Sequence, residues 1–138
     1  MHIYQVKSKK LHGSNFSEIC KKAFGLYQTI KRKSKRRSYV RSAYFNKEKI
    51  FLELFWSHLH EKFNHRDKIR RVRYFPCALE LIQHSKFDPE SKENVDRRSE
   101  ILHRFSGTTK NGEKFFVQIK EDKRSGQKWL MSVFPLDE

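Results

Sequence analysis

Three strand-like segments in the second half of the chain carry residues that could do acid–base and phosphate chemistry. His103 stands next to Arg104 in the first segment, Lys120 belongs to the second and Ser132 to the third. Histidine moves protons near neutral pH, and arginine and lysine stabilise a developing negative charge. These residue types suit attack of a ribose 2′-hydroxyl on the adjacent phosphate, which needs a base, an acid and cations. His103, Arg104, Lys120 and Ser132 are therefore candidate catalytic residues, and the alternative for His103, which alternates with Ile101 and Phe105, is a packed and hydrogen-bonded residue.

A second group of titratable residues recurs at helical spacing. His58, Glu61, Lys62 and His65 follow an i, i+3, i+4, i+7 pattern, which would place them on one face of a helix. Such a face could position a general acid, so His58 is also a candidate catalytic residue. The order differs from that of a His-Glu-x-x-His zinc helix, and the acids of the chain form no paired cluster that would hold two metals. The sequence thus predicts chemistry without a metal or another cofactor.

Strand alternation decides which of these side chains can meet. Successive strand residues point to opposite faces, so Phe115, Val117 and Ile119 would form a core face. The same rule puts Trp129, Met131 and Val133 on the core side of the last strand. The residues left to share a polar face are Arg104, Ser106, Gln118, Lys120 and Ser132. On that face Gln118 could bind a phosphate and Phe116 could stack on a base, although a merely solvated sheet face would look the same.

Turn signals and apolar periodicity define the elements that must position these residues. Asn111-Gly112 and Ser125-Gly126 lie between β-prone runs, which predicts a three-stranded antiparallel meander. Helical spacing of apolar residues predicts helices over about 16–27, 47–63, 66–73 and 77–84. Residues 85–98 are polar and predict a loop, so a fourth strand would come from the N-terminal residues or from 38–45. We predict an α+β fold in which N-terminal helices pack on one face of a C-terminal antiparallel β-meander of three to four strands.

The charge of the chain points to a polyanionic partner. Its 138 residues carry a net charge of +15, and residues 1–50 hold 14 lysines and arginines against two acids. A basic run lies at 31–37, and its cations are candidate substrate-binding residues together with Gln118 and Phe116: Lys31, Arg32, Lys33, Lys35, Arg36 and Arg37. Nucleic acid, RNA in particular, is the expected partner, with an anionic membrane surface as the alternative. A nuclear-targeting address and a solubilising tail would have the same composition.

Length and hydropathy predict one compact domain, with a basic N-terminal helix and arm over 1–45 and an α+β unit over 46–138. No signal-peptide core or stretch of 18 apolar residues is present, so we expect a cytoplasmic protein without a membrane span. Cys20 and Cys77 are too few and too far apart for a disulfide framework or a thiolate zinc site, which predicts two reduced structural thiols.

The order of motifs resembles a known superfamily. Helices are followed by Leu79-Glu-Leu-Ile82, a polar loop with Asp88-Pro89, and then three strand motifs. The strand motifs are His103-Arg-Phe-Ser-Gly107, Phe115-Phe-Val-Gln-Ile-Lys120 and Ser132-Val-Phe-Pro135. Over residues 45–135 this layout resembles the small ribonucleases that group barnase, EndoU, colicin and RelE-like toxins, known as the BECR fold, especially their phage and mobile-element branch.

The resemblance implies a metal-independent endoribonuclease, and a toxin in particular. It matches the strand cations of that superfamily to Arg104 and Lys120, the last-strand hydroxyl to Ser132 and a helix histidine to His58. It leaves the general base unassigned, because no EndoU-like histidine–lysine pair and no barnase-like glutamate is found. The alternatives are a non-catalytic module that binds RNA or DNA through the basic arm and sheet aromatics, and an interaction domain that docks an acidic antitoxin or inhibitor.

Overall fold

The computed structural model describes residues 3–60 and 65–136. The helices are α1 (Phe16–Ser34), α2 (Glu53–His60), α3 (His65–Arg73) and α4 (Phe75–His84), and the strands are β1 (Tyr4–Gln5), β2 (Tyr39–Arg41), β3 (Lys49–Phe51), β4 (Glu90–Asn94), β5 (Arg97–Thr108), β6 (Lys114–Asp122) and β7 (Lys128–Pro135). All seven strands join one sheet, in the order β1-β5-β6-β7-β3-β2, and β4 pairs with β5 beside β1.

The predicted sheet architecture is wrong. The meander β4–β7 is antiparallel, but β1 pairs with β5 and β3 pairs with β7 in parallel, so the sheet is mixed and curled rather than a meander of three to four strands. Nor do the helices simply cover one face of that meander, because α2 and α3 pack beside β7 while α1 packs on α3. The α+β character itself holds.

Short and polar strands account for the error. β1 and β2 do fall in the two segments named as sources of a fourth strand, the N-terminal residues and 38–45. However, β1, β2 and β3 contain only two or three residues each, too few for an alternation that would reveal their partners. β4 has the sequence Glu-Ser-Lys-Glu-Asn and falls in the segment predicted as a loop, because an edge strand can be polar on both faces. The helix predicted over 47–63 begins instead at Glu53, since Lys49–Phe51 pairs with β7.

Local signals explain the elements that sequence did predict. Asn15 caps α1, accepting a hydrogen bond from the backbone N–H of Glu18 at 2.9 Å, and Pro76 lies in the first turn of α4. The two hairpin turns place Gly112 at φ +84° and Gly126 at φ +75°, a region that glycine enters without steric cost. Both predicted hairpins are confirmed.

The core is one cluster of residues from the helices and from strands across the curled sheet, including Val40 and Ile50. Phe115 and Val117 of β6 are fully buried in this cluster, together with the helix residues Phe75 and Leu81. Gly107 of β5 leaves room for this packing: a Cβ atom there would lie 2.6 Å from Cζ of Phe115 and 2.7 Å from Cδ1 of Leu81. Any side chain at 107 would therefore displace the core.

Both cysteines are free, and Cys77 is buried in the core. Burial raises the pKa of the Cys77 thiol to about 12, and burial also raises the pKa of Cys20. Both thiols are therefore protonated at neutral pH, as expected for structural cysteines. None of the helices among the described residues is long and apolar enough to cross a membrane.

Glu80 of α4 anchors the segment that follows β1. Its carboxylate accepts hydrogen bonds from the backbone N–H groups of Lys7 and Ser8, each at 2.8 Å, and from Oγ of Ser8 at 2.6 Å. Partial burial alone would raise the pKa of Glu80, but the hydrogen bonds from Ser8 and Lys7 outweigh it and lower the pKa below 4.5.

Replacing Glu80 with glutamine is expected to lower the free energy of unfolding by about 1 kcal/mol at pH 7, because the charged acceptor is lost from a partly solvated site. A lowered carboxylate pKa stabilises the fold above the unfolded value and loses that effect as the pH falls through the folded value. The difference between wild type and E80Q should therefore shrink in denaturant titrations below about pH 4. An equal difference at pH 7 and pH 3 would contradict this role.

Candidate functional site

The outer face of β5, β6 and β7 is a half-buried surface of nine residues, which we call the open face. Alternation puts the core residues on the inner side, and pairing across the strands then sets three rows on the outer side. The rows are Ser106–Phe116–Phe134, Arg104–Gln118–Ser132 and Leu102–Lys120–Trp129. The structure therefore brings together the predicted candidates Arg104, Phe116, Gln118, Lys120 and Ser132.

A β-bulge changes the face of one aromatic residue. Gln118 pairs with Ser132 while its neighbour Ile119 pairs with Leu130, so Met131 is an extra residue in β7. The bulge buries Leu130 completely and turns Trp129 onto the open face. The prediction that Trp129 belongs to the core side is wrong, because simple alternation fails at an inserted residue.

Two guanidinium groups converge on one aromatic ring of the open face. The guanidinium carbon of Arg104 lies 5.5 Å from the ring centroids of both Phe116 and Phe134. Arg71, from α3, approaches the same Phe134 ring to 5.7 Å and donates from Nη1 to Oγ of Ser132 at 2.8 Å. Two arginines beside aromatic rings are suited to bind phosphate next to a stacked base.

Arg71 was not among the sequence candidates. The sequence does contain a signal for its orientation, because Asp67 lies four residues earlier and accepts a hydrogen bond from Nε of Arg71 at 2.9 Å. The partner that gives Arg71 a place in the site is Ser132, 61 residues away. That contact depends on how α3 packs beside β7, which no local pattern reveals.

Two further features of the open face are the surroundings of Lys120 and the carboxylate of Glu90, which lies on the neighbouring strand β4. Nζ of Lys120 lies 5.0 Å from the Trp129 ring centroid and 3.4 Å from Oε2 of Glu100. Glu90 of β4 stands opposite Arg104 in the strand register. Both Glu90 and Arg104 line a small cavity of about 140 Å³, together with Ser91, Lys92, Leu102 and Gln118. Glu90 is the second residue of the candidate site that sequence alone does not identify, because the polar composition of 85–98 predicts a loop there rather than a strand.

His103 lies on the opposite face from Arg104 and Lys120. Its ring is 8% exposed, within hydrogen-bond distance of Oγ of Ser91 at Nδ1 (2.6 Å) and of Oε1 of Glu121 at Nε2 (2.7 Å). Phe45 packs edge-on against the ring at 5.0 Å. The structure thus does not bring His103 onto the open face, because adjacent residues of a strand point in opposite directions.

Replacing His103 with alanine is expected to cost about 2 kcal/mol of unfolding free energy, because two buried hydrogen bonds are lost. If the open face acts on RNA, that activity should stay within about twofold of wild type, because the His103 ring lies on the opposite side of the sheet. Denaturant titration and an RNA assay on the same preparation would check both parts. Loss of RNA activity in a variant that remains folded would instead give His103 a functional role.

The remaining candidates lie away from the open face. His58 is half-buried on α2, and the other members of its predicted helical stripe, Glu61, Lys62 and the side chain of His65, lie outside the described residues. Lys31, Arg32 and Lys33 are exposed in the last turn of α1, and Lys35 and Arg36 follow it. Arg37 forms an ion pair with Glu53 and lies 3.7 Å from the Phe51 ring centroid.

The basic run adjoins a separate groove. This groove, of about 640 Å³, is lined by Lys33 and by cations from three other segments: Arg41, Lys47 and Lys86. It is framed by α1, β2 and the end of α4, whereas the open face belongs to β5–β7. Of the predicted substrate-binding cations of 31–37, Lys33 therefore belongs to a basic surface that is distinct from the open face.

Within residues 3–60 and 65–136, no group of three or more histidine, cysteine or acidic side chains could hold a metal ion.

Comparison with known proteins gives no assignment: no family model matches the chain, and neither a curated protein nor a solved structure shows significant similarity to it.

Proposed function

We propose that the open face binds single-stranded RNA and cleaves it as a metal-independent endoribonuclease. The observation that carries the proposal is the convergence of Arg71 and Arg104 on Phe134, with Nη1 of Arg71 on the Ser132 hydroxyl. Guanidinium groups bind phosphate oxygens in pairs, and half-exposed aromatic rings stack on unpaired bases. Phe116 and Trp129 extend the aromatic surface on either side of Gln118.

The residues of the open face can be assigned roles in a transesterification. The ribose 2′-oxygen forms a bond to phosphorus while the bond from phosphorus to the 5′-oxygen breaks. Arg71 and Arg104 would balance the charge that develops on the phosphate oxygens. Glu90, across from Arg104, would accept the proton of the 2′-hydroxyl, and Lys120 would donate a proton to the leaving oxygen. The products are a 2′,3′-cyclic phosphate and a 5′-hydroxyl end.

We also propose a toxin role, with an inhibitor that covers the same surface. A basic, aromatic substrate face is a natural target for an acidic partner, because charge complementarity speeds association and blocks the substrate. We therefore keep an acidic antitoxin or inhibitor as a proposed partner, with cytoplasmic RNA as the substrate.

The second candidate function is RNA binding without cleavage. It is favoured by the position of His103, which lies on the inner side of the sheet and in contact with Glu121 rather than on the open face. In that case the aromatic rings and cations would supply affinity alone, with a steep salt dependence.

The two functions are separated by incubating the purified protein with mixed-sequence RNA in excess chelator. The endoribonuclease predicts fragments that end in 2′,3′-cyclic phosphate, and no fragments from an RNA in which every ribose is 2′-O-methylated. Intact RNA that nevertheless shifts on a native gel would support the binding module. Cleavage that stops with chelator, or that persists on the methylated RNA, would exclude the proposed chemistry.

A further inference from the structure

A basic cavity lies beside the open face, and it is distinct from the groove next to the basic run of 31–37. It has a volume of about 590 Å³ and opens between α3 and the β5–β6 hairpin. Its lining carries four cations and one acid, which gives a local charge of +3: Lys10, Arg70, Arg73, Lys114 and Glu113. A cavity of this size with this charge suits a phosphate-bearing ligand.

Two of these cations are fixed by neighbouring groups. Arg73 donates to the backbone carbonyls of Leu11 at 3.0 Å and Gly13 at 3.3 Å. Lys10 pairs with Glu113 at 2.5 Å and lies 5.6 Å from the Tyr74 ring centroid. These contacts hold the walls of the cavity in place. The other two charges come from Arg70, whose Nη1 lies 3.6 Å from Oδ1 of Asp67 on the same helix, and from the exposed Lys114.

The cavity lies near the Phe116 end of the open face. On β6, Lys114 lines the cavity and Phe116, two residues later, belongs to the open face. Alternate residues of a strand share a face, so these two side chains start about 7 Å apart on one side of the sheet. On α3, Arg70 lines the cavity and the next residue, Arg71, contacts Phe134.

The lining favours phosphate over base. Tyr74 is the aromatic residue that lines the cavity, but it is 5% exposed and its ring stacks on Phe115 with centroids 5.2 Å apart. The ring is therefore used by the core and offers no free surface for stacking. What the cavity can offer a nucleic acid is positive charge.

We propose that this cavity binds backbone phosphates of the RNA segment that flanks the one on the open face. The inference rests on the proposed function, and it extends the substrate from a short site to a longer single strand. It predicts that RNA long enough to reach both surfaces gains affinity and salt dependence through Arg70 and Lys114, whereas a very short RNA does not.

The test uses the full chain, the double variant R70Q/K114Q and labelled RNA that is 2′-O-methylated to prevent cleavage. Binding of a trinucleotide and of an RNA of about twelve nucleotides is followed by fluorescence anisotropy between about 50 and 200 mM salt. Each lost phosphate contact on a single strand lowers the slope of log affinity against log salt by about 0.7. For the long RNA we expect a decrease of about 1.4 for the two lost contacts, and for the trinucleotide none.

The matched control is the double variant K21Q/R98Q, which removes the same charge from two exposed positions, on α1 and at the start of β5. It should keep the wild-type slope for the long RNA. Equal slopes for R70Q/K114Q and wild type would overturn the inference, as would an equal loss in the control.

Failure of the inference and failure of the proposed function are distinguishable. If R70Q/K114Q leaves the long RNA unaffected but weakens binding of a free nucleoside monophosphate, the cavity takes a small phosphate ligand and the flanking-strand inference is wrong. If R104Q leaves trinucleotide binding unchanged while R70Q/K114Q weakens binding of the long RNA, the proposed role of the open face is wrong. The cavity would then still be an RNA-binding site.

Discussion

Replacing Arg104 with glutamine is expected to slow RNA cleavage about 100-fold. Removing one preorganised donor from a developing oxyanion costs a factor of about 100 to 1,000 in rate. Arg104 would serve in that way, because its guanidinium carbon lies 5.5 Å from the ring centroids of Phe116 and Phe134, and Glu90 is the residue opposite Arg104 in the strand register. Glutamine keeps the polarity and much of the length of the side chain but removes the charge. Single-turnover cleavage of a labelled RNA would measure the effect directly.

Arg98 provides the matched control for this variant. It belongs to the same strand, β5, is exposed, and lies six residues away, about 20 Å along an extended chain. R98Q carries the same charge change and should cleave within about threefold of wild type, because an exposed charge so far away is screened. A similar loss in R98Q and R104Q would mean that overall charge, not the position of Arg104, controls the reaction.

Gly107 to alanine is expected to be the most damaging small substitution in the described core. The new Cβ would meet Phe115 at 2.6 Å and Leu81 at 2.7 Å, closer than carbon atoms can approach. Overpacking of this kind costs about 3 kcal/mol when ring and backbone must both shift. We expect the midpoint of thermal unfolding to fall by roughly 10 °C.

Gly25 supplies the control for a glycine-to-alanine change without a clash. It lies within α1, and a Cβ atom there would meet nothing within 4 Å. G25A should stabilise the protein by about 0.5 to 1 kcal/mol, because alanine is the better helix former. If G107A melted at the wild-type temperature, the close packing described for β5 and α4 would be incorrect.

The elements that sequence predicted well are those whose signals are local. The hairpin turns at Gly112 and Gly126 are specified by residues within a few positions, and α1 and α4 likewise begin at local signals, the Asn15 cap and Pro76. The mixed sheet was not predictable in the same way. Its parallel pairs depend on packing between distant segments, and a strand such as Tyr4–Gln5 has no periodicity of its own.

The candidate site shows the same contrast between local signals, which sequence reveals, and contacts between distant segments, which it does not. Alternation correctly grouped Arg104, Gln118, Lys120 and Ser132 on one face, because it is a property of each strand alone. It failed at Trp129, where the bulge at Met131 reverses the phase of β7. Arg71 came from a helix, so only the tertiary arrangement could add it to the site.

The two parallel pairs also have a consequence for how the protein folds. Tyr4 lies opposite Gly107, so this pair joins segments about 100 residues apart, and Ile50 opposite Lys128 spans a loop of similar scale. Such non-local closures slow folding, whereas the hairpins β5–β6 and β6–β7 close locally and can form early. The meander would then exist before α3 docks beside β7. Because Arg71 arrives with α3, the pair of arginines on Phe134 would be completed late, and a partly folded chain would lack the site that we propose for RNA.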